Sequence, residues 1–203
     1  MRVLGLDEAG RGAVLGPLVV GAFCVDEVQL AAVKATGATD SKALTPRRRE
    51  ALIEPLRAIG THSIREISAK AIDAANINTL EEQAFASLIV ELRPDRVIID
   101  SPVNPRGIPN FLRRMKAMVP FELEWVVEPK ADATYPVCGA ASIFAKVTRD
   151  AAIAALGEVG SGYPSDPRTV AFLEGLVKAK KPFPASVRTR WGTVRRLSQQ
   201  DLF

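Results

Sequence analysis

An apolar run, Val3-Leu4-Gly5-Leu6, ends in two adjacent carboxylates, Asp7 and Glu8, and Gly10-Arg11-Gly12 follows. Carboxylates at a strand end can hold a hard divalent cation. Glycines flanking an arginine let backbone approach a phosphate or sugar, and the guanidinium can pair with the phosphate. Two more acids stand at comparable places: Asp100 closes Val97-Ile98-Ile99, and Asp132 follows an apolar run ending at Val127. Such acids on neighbouring strands can converge at one sheet edge. Two metal ions about 4 Å apart could there activate a water and stabilise the leaving oxygen of a phosphodiester. An all-oxygen ligand set suits Mg2+ or Mn2+. Adjacent strand residues point to opposite faces, so joint use of Asp7 and Glu8 requires the strand to stop at Asp7 and the chain to turn at Glu8.

Other chemistries are poorly supplied. His62 is the only histidine, which argues against a histidine-centred triad or a histidine-rich zinc site. The glycine-arginine-glycine loop lacks the lysine and spacing of a P-loop. Cys24 and Cys138 lie among apolar and small residues and read as buried free thiols.

The elements that must position the acids follow from local signals. Val3–Leu6 and Leu18–Val25 read as strands, the second apolar throughout and therefore central. Thr45-Pro46 opens a helix to Ile59, with Gly60 ending it. His62–Ile67 alternates as a third strand. Asn78-Thr79-Leu80-Glu81 has capping-box spacing for a helix toward Leu92. Val97–Ile99 is a short buried strand, Pro109–Met118 a helix and Phe121–Val127 a fifth strand. The alanine-rich Val137–Leu156 reads as a long buried helix. Asp166-Pro167 caps and starts another, to Ala179, and a last basic helix begins near Ser186. This order predicts a mixed five-stranded α/β sheet flanked by helices, with a helical C-terminal region. The break at Lys181–Pro184 separates a catalytic domain, 1–180, from a basic helix and tail, 181–203.

The chain has 203 residues, a net charge of +4 and a pI near 9.3. Basic residues cluster at Arg47-Arg48-Arg49 and again from Lys178 through Arg188 to Arg196. Such patches suit a polyanion, although each is also an ordinary solvated face. No apolar run approaches a membrane span, and acids interrupt any leader-like segment. A cytoplasmic monomer is the expectation.

Asp7-Glu8-Ala9-Gly10-Arg11-Gly12 resembles the signature of the type 2 ribonucleases H, ribonuclease HII. Asp40-Ser41-Lys42-Ala43-Leu44-Thr45, Val97-Ile98-Ile99-Asp100, Lys130-Ala131-Asp132 and Ala140-Ala141-Ser142-Ile143-Phe144-Ala145-Lys146-Val147 match in order. The segment from Gly160 to Thr169 resembles the archaeal branch. Pro129, where the family often has histidine, and Cys138 depart from the pattern.

The resemblance implies an RNase H-like fold. It implies hydrolysis of the RNA strand of RNA/DNA hybrids and incision 5′ of ribonucleotides embedded in duplex DNA, with 5′-phosphate and 3′-hydroxyl ends. Asp7, Glu8, Asp100 and Asp132 become the ligands of two Mg2+ or Mn2+ ions. Gly10, Arg11 and Gly12 become the loop that reads the ribose 2′-OH and its phosphate, and Tyr163 stacks on the sugar or, alternatively, packs on Pro164. Lys42 and Lys146 become phosphate contacts. Ser142 either touches the nucleic-acid backbone or packs its helix. The tail Gln199–Phe203 faintly resembles a sliding-clamp peptide. Another metal-dependent nuclease of the same fold is the alternative.

Overall fold

The computed structural model describes residues 1–38 and 44–200. In chain order its elements are β1 (Arg2–Ala9), β2 (Leu18–Asp26), α1 (Leu30–Ala35), α2 (Pro46–Ile59), β3 (Thr61–Ile67), α3 (Ala69–Ala74) and α4 (Ile77–Leu92). There follow β4 (Arg96–Asp100), α5 (Ile108–Met118), β5 (Glu124–Glu128), α6 (Ala131–Thr134), α7 (Pro136–Ala154), α8 (Pro167–Lys178) and α9 (Gly192–Gln200). The five strands form one sheet in the order β3-β2-β1-β4-β5, with β4 parallel to both β1 and β5. The mixed five-stranded sheet flanked by helices is the fold the sequence predicts. Residues Leu18 to Val25 of β2 are all buried, as an unbroken apolar strand should be.

Local chemistry explains the well-placed elements. Thr45 caps α2, its hydroxyl accepting from the Arg48 N–H at 3.3 Å, with Pro46 in the first turn. Asp166 caps α8, accepting from the Arg168 N–H at 2.9 Å. Both cysteines are buried free thiols. His62 stacks on Phe144 with ring centroids 4.2 Å apart, a packing role.

Several expectations are corrected. The first strand does not end at Leu6: β1 starts at Arg2 and runs on through Asp7 and Glu8 to Ala9. The helix after residue 75 begins at Ile77, and Asn76 rather than Asn78 presents the capping side chain, accepting from the Asn78 N–H at 2.9 Å. The fifth strand begins at Glu124, not Phe121. The last helix begins at Gly192, not Ser186, because backbone before it pairs elsewhere: Ser186 accepts from the Gly16 N–H, and the Arg188 N–H donates to Val14. The short helices α1, α3 and α6 have no counterpart in the sequence reading.

The chain divides into two compact units. One comprises Met1–Ala9, Val20–Arg65 and Glu81–Val147, the other Gly10–Val19, Glu66–Leu80 and Thr148–Phe203. In the first, residues of α7 such as Val137, Ala140, Ala141 and Phe144 share a buried apolar core with Val3, Phe23 and Ile98 of the strands. Glycines let the helix lie low. A Cβ at Gly21 of β2 would fall on the Ala141 carbonyl oxygen, so only glycine permits that backbone approach. The second unit has its own core of Val14, Leu15, Ile153, Val159, Leu173, Val187 and Val194.

Candidate functional site

Strand register brings the first two acids together. Leu6 of β1 lies opposite Ile99 of β4, so Asp7 and Asp100 are the next residues along two parallel neighbours. After β5 the chain turns through Lys130, a left-handed residue with φ of 62°, into α6, which carries Asp132. The Ala131 N–H at the start of that helix donates to Asp100 Oδ1 at 3.1 Å and ties the third acid to the second. Carboxylate oxygens of Asp7, Asp100 and Asp132 all lie within 4.8 Å of one another. Asp7 and Asp132 are buried and Asp100 half-buried.

Three carboxylates at this spacing repel one another. Burial, and secondarily the Asp100 charge, push the Asp7 pKa up to about 6, against the opposing Ser142 hydrogen bond. The Lys146 ammonium donates to Ser142 Oγ at 2.9 Å, and its charge also favours ionised Asp7. A hard divalent cation fits this donor set: its charge relieves the repulsion among the three carboxylates, and it takes oxygen ligands.

Glu8 stands outside this three-acid cluster among the described residues. Glu8 is half-buried on the strand residue after Asp7, and its N–H donates to Asp7 Oδ1 at 2.8 Å. Ser142 and Lys146 thus sit beside Asp7 rather than apart from it, and Ser142 is fully buried. Burial pushes the Cys138 thiol up. Its Sγ donates to the Ile98 carbonyl at 3.1 Å, which holds it in the core. Lys42 lies outside the described residues, as does the end of the Gln199–Phe203 tail.

The second unit carries Gly10, Arg11, Gly12 and Tyr163. Gly10 has a φ of 87°, a left-handed conformation that favours glycine. Its N–H donates to the Tyr163 hydroxyl at 3.2 Å. Tyr163 is therefore bound to the loop through its oxygen, and is more than a turn aromatic resting on Pro164. Arg11 Nη2 donates to the Asn78 side-chain oxygen. A Cβ at Gly12 would meet nothing within 4 Å, so that position is open.

Sequence reasoning missed the groups beneath the loop. Arg188, counted with the basic C-terminal cluster, is fully buried and donates to the carbonyls of Gly10 and Arg11. Arg149 is also buried and places its guanidinium carbon 4.4 Å from the Tyr163 ring centroid. No local signal separates either arginine from an exposed one.

A family model described as ribonuclease HII matches residues 4–194. The ribonuclease HII of Thermococcus kodakarensis is 40% identical over 209 residues, covering 98% of this chain and 91% of that protein. The crystal structure of the ribonuclease H2 from Pyrococcus horikoshii OT3 superimposes with a TM-score of 0.91 at 40% identity, covering 100% of this chain and 99% of that one. The structure of the PCNA:RNase HII complex from Archaeoglobus fulgidus gives a TM-score of 0.85 at 36% identity, covering 94% of this chain and 95% of that one.

Proposed function

The chain belongs to the ribonuclease HII family, and on that footing we propose that it hydrolyses the RNA strand of RNA/DNA hybrids and incises 5′ of ribonucleotides embedded in duplex DNA. It is a metal-dependent endoribonuclease by membership. The observation that carries the reading is the convergence of Asp7, Asp100 and Asp132 within 4.8 Å at one edge of the sheet.

In this reading the three aspartates hold divalent cations, Mg2+ or Mn2+, and Glu8 completes the set once substrate brings a second ion. When bound, such ions supply Lewis acidity that lowers the pKa of a water and stabilises charge on a departing 3′ oxygen. The chain's own groups do the rest. Lys146, through Ser142, orients Asp7 and favours its ionised form. The Gly10-Arg11-Gly12 loop reads the 2′-OH, the group by which RNA differs from DNA, and the Arg11 guanidinium takes an adjacent phosphate. Tyr163 offers its ring face to the sugar. The 2′-OH is read rather than used as the nucleophile, so products carry 5′-phosphate and 3′-hydroxyl ends. Lys42 serves as a further phosphate contact.

Similarity to the Archaeoglobus fulgidus protein, whose structure is a complex with PCNA, supports a second reading for the tail. Gln199–Phe203 then docks on a sliding clamp. Removing these residues would abolish clamp binding while leaving cleavage of short duplexes intact.

The test is cleavage of a DNA duplex with one ribonucleotide, with Mg2+ or Mn2+, beside an all-DNA duplex and an Asp100→Asn variant. One cut 5′ of the ribonucleotide, absent from the all-DNA duplex and from the variant, is the expected result. Cleavage of only longer hybrids would remove the single-ribonucleotide role. Cutting of the all-DNA duplex would make the protein a different nuclease of the same fold.

A further inference from the structure

Arg188 heads the fully buried side chains of the described residues by volume, and it is a charged one. Its guanidinium is spent on main-chain carbonyls of one short segment. Nη2 donates to Gly10 O at 2.8 Å and Gly16 O at 3.1 Å, Nη1 to Arg11 O at 3.0 Å and Nε to Gly16 O at 3.2 Å. The fork thus spans both ends of the turn that carries Gly10-Arg11-Gly12. Arg149 works from a second side. Its Nη2 donates to Ser161 O at 2.7 Å and its guanidinium stacks on Tyr163, whose hydroxyl accepts from the Gly10 N–H. A Cβ at Gly10 would lie 2.6 Å from Arg149 Nε, so loop and guanidinium are in direct contact.

We propose that Arg188, together with Arg149, is a positioning residue that fixes the Gly10–Gly12 backbone and the Tyr163 ring for recognition of a ribonucleotide and its phosphate. What the loop recognises rests on the function proposed above; how the loop is held does not. Carbonyls of Gly10 and Arg11 held on a guanidinium fix the two peptide planes that also carry the Arg11 and Gly12 N–H groups. Two buried cations under one glycine-rich loop also set up a positive field that favours a phosphate. Burial and the neighbouring Arg149 charge push the Arg188 pKa down to about 10, so it stays cationic at neutral pH. Lysine cannot replace this fork, because one ammonium cannot span carbonyls on both sides of the turn.

The segment that delivers Arg188 is itself held. Asp73 Oδ2 accepts from the Thr189 N–H and hydroxyl, both at 2.7 Å, and Oδ1 accepts from the Arg190 N–H at 3.2 Å. The guanidinium carbon also lies 5.3 Å from the Trp191 ring centroid. Asp73 is half-exposed and offers a milder way to loosen the same device.

The experiment compares wild type, Arg188→Lys and Asp73→Ala by amide hydrogen exchange and by steady-state kinetics on a duplex with one ribonucleotide. Affinity for the all-DNA duplex is measured alongside. Faster exchange at residues 10–16 with unchanged exchange in β4 is expected for both variants. With it should come a fall in kcat/KM of about tenfold or more for Arg188→Lys, since small misplacements of a binding group are costly. Affinity for all-DNA duplex should stay within about twofold, because phosphate contacts elsewhere dominate it. Unchanged exchange in the loop overturns the proposal, as does faster exchange with kcat/KM unaffected. If Arg188→Lys does not fold, Asp73→Ala is held to the same criteria. Failure of the wild type to cut the ribonucleotide would refute the functional reading, while the exchange data would still decide whether Arg188 holds the loop.

Discussion

Gly5 of β1 and Val137 of α7 are in direct backbone contact: a methyl group at Gly5 would fall on the Val137 carbonyl and 2.5 Å from the Cys138 nitrogen. The contact fixes the height of α7 over the strand that carries Asp7, and α7 in turn carries Ser142 and Lys146 to that acid. Gly5→Ala must push helix and strand apart. A loss of about 3 kcal/mol is expected, at the upper end for overpacking of a core, with activity falling alongside. Gly12→Ala, with open space around it, should cost under about 1 kcal/mol. Urea unfolding of both variants checks the contrast, and equal losses would show that the contact sets nothing.

Asp7 gives a pH signature in metal-free protein. Its pKa is raised to about 6 in the fold from an ordinary 3.8, so folding favours the protonated acid. The group is fully compatible with the fold below about pH 4. Its contribution is lost as pH rises through 6, a cost of up to about 3 kcal/mol. With metal chelated at pH 7.5, Asp7→Asn should therefore melt above wild type, and the gap should close toward pH 4. Saturating Mn2+ should reverse the order. Identical melting of the two proteins across this range would mean that the cluster carries no such electrostatic cost.

The carboxylate site was legible because each acid follows a local signal: Asp7 and Asp100 extend apolar strands, and the parallel register then sets them side by side. Caps at Thr45 and Asp166 were legible for the same local reason. The extent of β1 past Leu6 was not, because whether a strand stops at one residue or two further on is decided by its neighbours rather than by its own sequence. Arg188 was hidden more deeply. Its partners Gly10, Arg11 and Gly16 lie at the other end of the chain, and among the lysines and arginines around it a buried guanidinium looks like a solvated one. The same long-range pairing holds Ser186–Arg188 out of the helix that the sequence favours there.

Ser142 links Lys146 to Asp7, so its hydroxyl matters for the acid and not for packing alone. Ser142→Ala removes the hydrogen bond that lowers the Asp7 pKa while filling nearly the same space. Mn2+ affinity should fall about 10-fold or more, as expected for loss of a group that orients a ligand. The fall should be steepest near pH 6, where Asp7 ionisation then becomes limiting. Calorimetric titration with Mn2+ at pH 6 and pH 8 measures it. Unaltered affinity at both values would reduce Ser142 to a packing residue.

Glu8 and Asp100 should separate in a way that tests whether Glu8 acts only with substrate present. Asp100 belongs to the substrate-free cluster and accepts from the Ala131 N–H; Glu8 stands outside that cluster, on the strand residue after Asp7. Asp100→Asn should weaken substrate-free Mn2+ binding about 10-fold or more, since it removes a ligand from an already assembled set. Glu8→Gln should leave that affinity within about threefold yet lower kcat by about 100-fold, the pattern of an interaction made only on the way to the transition state. Mn2+ titration without nucleic acid, paired with single-turnover cleavage, distinguishes the two. Equal loss of metal affinity in both variants would place Glu8 in the substrate-free set, and full activity in Glu8→Gln would remove it from the chemistry.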